Sequence, residues 1–522
     1  MSVPLVLMRF LDRAVKLYGD KTAIIDDEVS YTYKQVNGRV NQLSSGLQEL
    51  GISKGDRVAY LAPNTTGMFE GFYGVLQLGA IITPLNTRLK PEEYVYILNN
   101  SGAKALFVDN DLLDLILPVR EKLRTIETII VHNMNENQNG LISYDKWMAN
   151  YSTEKITRPD VEELDVATLL YTSGTTGQPK GVMLTHRNNY LHAMSSMHYL
   201  RVTDKDVLLH ILPMFHVNGW GSPFYYTANG ATHVCLREVR ADDIIERIDK
   251  YGVTVMHMAP TVLSTILDYN DERKIPKQPQ SIRTYVAGAA PPPAFIKRVE
   301  DDLGWEFVQI YGMTEASPLI TGSAIRDTQE YLSRDEKIKI KAKVGYEFIG
   351  SEVIVVNEDG NEVTHDGKDI GEIIVRGNGV MKGYWNDPQS TSEAIQNGWL
   401  HTGDMGVVYP DNNIAIVDRK KDIIISGGEN ISSVEVEGVL FDHPSVQDVA
   451  IITKPHEKWG ETPLALVVIR SGHDVTEEAL ITFVRSKLAH FKAPSEVIFV
   501  DELPKTASGK VLKHNLRDHY VK

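Results

Sequence analysis

Apolar positions in the first 150 residues switch between two spacings. In YTYKQVNGRVNQLSSGLQEL (31–50) they recur at helical intervals and stop at Gly51, a residue type that ends helices. DRVAYLAPN (56–64) and AKALFVDN (103–110) are short continuous apolar runs closed by turn residues, the pattern of buried strands. FYGVLQLGAIITPLN (72–86) reads as helix, glycine, strand. The same grammar returns in TVMHMAPTVLSTILDY (254–269) and IRTYVAGAAPPPAFIKRV (282–299). Strands separated by helices predict doubly wound α/β layers with parallel sheets. No solenoid repeat is visible.

After about residue 345 the texture changes. SEVIVVNEDGNEV (351–363) is a valine-rich strand with a hairpin signal at Asp359-Gly360, and GEIIVRG (371–377) and NIAIVDR (413–419) are further strands. A β subdomain is expected here. Beyond it, SSVEVEGVLFDH, VQDVAIITKP, PLALVVIRSG and TEEALITFVRSKL predict a small α+β unit. The expected division is a large N-terminal domain at 1–417, a polar hinge at 418–422 and a small C-terminal domain at 423–522.

Composition narrows the function. The 522 residues are 42% hydrophobic and 24% charged, enough for a large core. The 69 acidic against 54 basic residues give a net charge of −15, which argues against a general nucleic-acid or anionic-membrane binder. The one cysteine, Cys235, excludes an intramolecular disulfide and a cysteine-rich zinc site, and its apolar surroundings predict a buried hydrophobe. The first 20 residues read as an amphipathic helix rather than a signal peptide, and no run reaches the length of a membrane span. The expected location is cytoplasmic.

The strongest chemical signal is YTSGTTGQPKGV (171–182). An apolar run at 166–170 leads into it. Gly174, Gly177 and Gly181 permit backbone shapes closed to other residues. Thr172, Ser173, Thr175 and Thr176 supply hydroxyls and Lys180 a cation. Backbone N–H groups, hydroxyls and a positive charge are what a polyphosphate needs. The spacing is not that of Walker A.

This segment resembles the phosphate-binding signature of the adenylate-forming superfamily, which includes acyl-CoA synthetases, adenylation domains of peptide synthetases and firefly luciferase. The superfamily's other motifs follow in order: LPMFHVNGW, AGAAPPP, IYGMTEAS, GEIIVRG, WLHTGDMG, DRKKDIIISGGENI and LPKTASGK. The resemblance implies ATP, Mg²⁺ and CoA as cofactors. It implies that adenine stacks on Tyr311 opposite Gly288, Ala289 and Ala290, with Gln309, Ile310 and Gly312 in the same pocket. Thr314 then meets the α-phosphate, Glu315 and Thr172 serve Mg²⁺, Asp404 meets the ribose hydroxyls, and Arg419 reaches the ribose or phosphate. Lys421 falls at the family's hinge position. Lys510 would bridge the carboxylate and the α-phosphate, and Ser426, Gly427 and Gly428 would line the pantetheine channel after the small domain rotates.

The resemblance also places the acyl pocket at His216, Gly219 and Trp220, with His216 beside the substrate carboxylate. Trp220 resembles the gating tryptophan of fatty acyl-CoA synthetases. FHVNGW offers no carboxylate for a substrate ammonium, which an amino-acid-activating enzyme requires. The expected enzyme is therefore an AMP-forming fatty-acid–CoA ligase of medium to long chain. The alternative is an adenylation enzyme loading another aliphatic or aryl acid onto CoA or a carrier protein. The motif set, with Lys510, Glu315 and the Thr-rich loop intact, argues against a non-catalytic relative. Partners are a small carboxylic acid, ATP and CoA, with a homodimer as a candidate assembly.

Overall fold

The computed structural model describes residues 3–172, 178–276, 278–288, 291–427, 429–505 and 511–521. The helical spacing at 31–50 produces helix Tyr33–Glu49, with Val36, Val40, Leu43 and Leu47 on its buried face. Thr32 opens it with a capping box to Gln35, and Gly51 follows in a left-handed conformation. Helix Thr66–Leu76 is buried on every side. It packs against strand Thr22–Asp26 of one sheet and strands Arg57–Leu61 and Ile81–Pro84 of another, so it lies between them. A helix enclosed in this way has no polar face to expose.

The first sheet has nine strands. Its centre is parallel, running Glu306–Gly312, Arg283–Val286, Val255–Met258, Val207–His210, Thr232–Cys235 and Thr22–Asp26. Antiparallel strands close both edges. The second sheet has eight strands, parallel from Val166–Thr172 through Ile81–Pro84, Arg57–Leu61, Ala105–Asp109 and Thr128–His132 to Ile142–Ser143. Its far edge turns antiparallel through Lys180–Thr185 and Gly383–Tyr384. Cys235 is buried in its strand, as expected.

The β subdomain is antiparallel and carries strands Ser351–Val356, Gly371–Gly377, Trp399–Val408 and Ile414–Arg419. A turn does form at Asp359-Gly360, where Asn357 N–H donates to Asn361 O. The chain folds back antiparallel across this turn, with Val356 bridging Glu362 and Val363 N–H donating to Val355 O, and the longer ladder of Ser351–Val356 is with the later strand Gly371–Gly377. The lysines at 337, 339 and 341 lie on helix Arg334–Lys341, where Lys337 pairs with Glu330 and Lys341 with Glu300.

Strand Ile414–Arg419 ends at a turn spanning 420–422. The C-terminal unit begins with strand Ile424–Ser426 and builds two cores of its own, around Val436, Leu440, Ile451 and Leu480 and around Ile452, Leu466 and Leu516. It is tied back to the strand before the turn. Ser432 Oγ donates to Val417 O, Ser433 N–H donates to Asp418, and Arg517 pairs with Asp422 at 2.7 Å.

Candidate functional site

The glycine-rich segment connects two antiparallel strands, Val166–Thr172 and Lys180–Thr185, in a register that sets Thr172 opposite Lys180. Ser173, Gly174, Thr175, Thr176 and Gly177 lie outside the described residues. Lys180 Nζ donates to Ser390 Oγ at 2.7 Å and sits 5.2 Å from the ring centre of Tyr384.

Tyr311 comes from the end of strand Glu306–Gly312, the first sheet's last parallel strand before the antiparallel edge. Gln309, Ile310 and Tyr311 are buried. The residue after the tyrosine must be glycine: a Cβ on Gly312 would sit 1.9 Å from Pro318 O. Gly288 follows strand Arg283–Val286 at φ 115°, and a Cβ there would meet nothing within 4 Å. It therefore faces open space at the strand's carboxyl end. Ala289 and Ala290 lie outside the described residues.

The structure brings Tyr311, Asp404 and Arg419 together from distant positions. Tyr311 Oη donates to Asp404 Oδ2 at 2.8 Å, and Arg419 Nε lies 3.3 Å from Asp404 Oδ1. Asp404 and Arg419 are cross-strand partners in the β subdomain. Burial, with Asp404 next in size, pushes the Tyr311 hydroxyl well above its ordinary range, so it stays a donor.

Thr314 and Glu315 form a short turn directly after this strand, each 9% exposed. Glu315 Oε1 accepts from Tyr384 Oη at 2.8 Å, and Met381 N–H donates to Glu315 O at 2.7 Å. Burial raises the Glu315 carboxyl above its usual range, and the Tyr384 bond opposes that shift. Among the described residues no group of three or more His, Cys, Asp or Glu could hold a metal by itself. One buried carboxylate with a threonine hydroxyl nonetheless suits Mg²⁺, which takes one or two carboxylates and fills its shell with phosphate oxygens and water.

The segment expected to hold the acid has an unusual backbone. Val217, Asn218, Gly219, Trp220 and Gly221 all have positive φ, from 48° to 76°. A left-handed run through valine and tryptophan costs energy at each non-glycine residue, and the surroundings must impose it. The side-chain amide of Asn218 donates to Thr168 and Asn189, which anchors the turn. Trp220 is buried and stacked on His257, with ring centres 5.5 Å apart. Burial holds His216 at a pKa of about 4, so its imidazole is neutral at physiological pH.

In the C-terminal unit, Ser426 ends strand Ile424–Ser426, and Gly427 follows with φ 60° and its N–H donating to Trp459 O at 2.8 Å. Lys421 is exposed in the turn before that strand. Gly428 and Lys510 lie outside the described residues. Tyr384 and Ser390, in contact with two expected site residues, had no signal in the sequence. They lie downstream of the GEIIVRG segment, and the pairing of Gly383–Tyr384 with Lys180–Thr185 brings them in.

Two family models match the chain, that of the AMP-binding enzymes over residues 11–385 and that of the AMP-binding enzyme C-terminal domain over residues 435–510. The chain is 38% identical to the peroxisomal butyrate–CoA ligase AAE11 of Arabidopsis thaliana, over 99% of this chain and 93% of the relative. It is 37% identical to the peroxisomal benzoate–CoA ligase of the same plant, with the same coverage. The crystal structure of the anthranilate CoA ligase AuaEII in complex with anthranoyl-AMP superposes with a TM-score of 0.91 at 27% identity, covering 99% of this chain and 98% of that one. Among the described residues no helix is long and apolar enough to cross a membrane. The nucleotide-site motifs and both family models run in register along one chain, which belongs to the AMP-binding enzyme family and is an AMP-forming acid–thiol ligase of the adenylate-forming superfamily.

Proposed function

We propose that the protein joins a short-chain aliphatic or an aryl carboxylic acid to CoA, through an acyl-adenylate made from ATP. Relatives named for butyrate and benzoate, and a solved neighbour named for anthranilate, favour this acid class over the medium- to long-chain fatty acid that the sequence suggested.

In the first half-reaction a carboxylate oxygen attacks the α-phosphorus of ATP and pyrophosphate leaves. Both reactants are anions, so positive charge and N–H donors must be in place beforehand. The loop 172–177 and Lys180 take the phosphates. Tyr311 stacks adenine, with Gly288, Ala289 and Ala290 on the other face. Asp404, held by Tyr311 and Arg419, accepts from the ribose hydroxyls. Thr314 donates to the α-phosphate and Lys510 bridges it to the carboxylate. Glu315 and Thr172 would hold Mg²⁺, which supplies charge against the phosphates. Neutral His216 lies beside the acid without adding a charge to it. In the second half-reaction the small domain turns about Lys421. The CoA thiol then reaches the adenylate past Ser426, Gly427 and Gly428, and AMP leaves. The observation that carries this reading is the Tyr311–Asp404–Arg419 cluster beside buried Glu315, an aromatic face with ribose-type and phosphate-type partners at one strand end.

The test is a panel from acetate to dodecanoate with benzoate, cinnamate and anthranilate, following ATP-dependent pyrophosphate release with and without CoA. The expected result is CoA-dependent turnover highest on short-chain or aryl acids. A maximum on dodecanoate would restore the long-chain reading, and pyrophosphate release without thioester formation would point to a carrier-protein acceptor.

A further inference from the structure

The strand residue Tyr384 touches both ends of the nucleotide site. Its hydroxyl donates to Glu315 Oε1 at 2.8 Å. Its ring lies 5.2 Å from the ammonium of Lys180, close enough for a cation–π contact. The same lysine donates to Ser390 Oγ, six residues further along. Ser390 is itself placed by a helix cap, since its N–H donates to Asp387 Oδ1 at 2.9 Å at the start of helix Pro388–Ala394.

The backbone around Tyr384 is fastened on both sides. Gly383 and Tyr384 pair antiparallel with Met183 and Val182, and Trp385 N–H donates to Gly181 O at 2.7 Å. Met381 N–H donates to Glu315 O at 2.7 Å. Tyr384 N–H donates to Thr391 Oγ1 at 2.9 Å. The segment from Met381 to Ser390 therefore spans the gap between the outgoing strand of the glycine-rich loop and the turn that bears Glu315. Its side chains decide where one cation and one carboxylate point.

We propose that Tyr384 is a positioning residue for the nucleotide site, with its hydroxyl aiming the Glu315 carboxylate and its ring, with Ser390, holding the Lys180 ammonium. This rests on the reading that Glu315 and Lys180 serve the metal-bound nucleotide. The hydroxyl leaves one Glu315 oxygen free of the tyrosine and fixes its direction. A phenylalanine keeps the ring under Lys180 and removes only the aim of Glu315, so the two roles can be separated.

The experiment uses the full-length protein and measures ATP binding by calorimetry, once with excess Mg²⁺ and once with EDTA. Melting temperature and the KM for ATP in acid-dependent pyrophosphate release are recorded alongside. Tyr384→Phe is expected to weaken ATP binding with Mg²⁺ about five- to tenfold, the scale of one ordinary intramolecular hydrogen bond, with binding in EDTA unchanged. Ser390→Ala is expected to weaken binding in both conditions, because Lys180 meets phosphate charge with or without the metal. In a Glu315→Gln background, Tyr384→Phe should add no further loss. Equal weakening with Mg²⁺ and with EDTA, or a lowered melting temperature with no change in binding, would reduce Tyr384 to a structural role and overturn the proposal. If Glu315→Gln alone leaves Mg²⁺-dependent binding intact, the metal reading of Glu315 fails and the proposal falls with it, a result distinct from an inert Tyr384→Phe beside a damaging Glu315→Gln.

Discussion

At the scale of single residues, two glycines, one at a strand end and one within a helix, carry opposite expectations. Gly312 is pressed against the carbonyl of Pro318, whose oxygen also accepts from Met313 N–H. No rotamer relieves a backbone clash, so the strand or the turn must move. Gly312→Ala is expected to cost about 2–4 kcal/mol in urea unfolding, within the range for forced overpacking and strain. Gly438 lies in helix Ser433–Phe441, and a Cβ there meets nothing within 4 Å. Gly438→Ala should stabilise by about 0.5–1 kcal/mol through helix propensity. Equal effects at the two sites would refute the contact argument. The sequence marked Gly312 through its motif, but not its reason, because Pro318 approaches it only once the strand has turned back on itself.

At the scale of elements, the nine-stranded sheet carries a histidine in each of three neighbouring parallel strands. His210 and His233 face each other at 2.9 Å between ring nitrogens, and His257 accepts or donates to Tyr226 at 3.2 Å. Burial holds His210 and His257 at about 3, and it does the same for His132 and His192, while His186 stays at about 4. These groups fold neutral, whereas in the unfolded chain they titrate near 6.5. Below that value the unfolded state binds more protons, so stability falls as pH falls, by at most about 1.4 kcal/mol per pH unit for each histidine. The expected outcome is a urea midpoint that drops steeply between pH 7 and pH 5. A flat profile over that window would show that these rings are hydrated. The strands themselves were readable as apolar runs. That polar rings sit inside them unprotonated was not, because burial on both faces depends on the helices that cover the sheet.

At the scale of the whole molecule, the proposed reaction divides between the two halves of the chain. The C-terminal unit is held at the turn 420–422 by Arg517 on Asp422 and by Ser432 and Ser433 on the preceding strand. If the unit serves both half-reactions in two orientations, a residue used in one orientation is dispensable in the other. Lys510→Ala should then lower acid-dependent pyrophosphate release by about 10²–10³, the scale of one lost electrostatic contact to the transition state. Thioester formation from supplied acyl-adenylate should remain within a few-fold of the parent. Equal loss in both half-reactions would exclude an alternating lysine.

By itself the sequence determined the α/β class, the later β subdomain and small α+β unit, and the family. These follow from the spacing of apolar residues and from motifs whose residues are neighbours in the chain. Only the tertiary structure joined Tyr311 to Asp404 and Arg419, put Tyr384 between Lys180 and Glu315, and forced the left-handed turn at Val217 to Gly221. Each of those contacts links positions far apart in the chain, or imposes a backbone shape that the local residues disfavour. Periodicity carries no information about either, since both arise from packing the two large sheets and the β subdomain against one another.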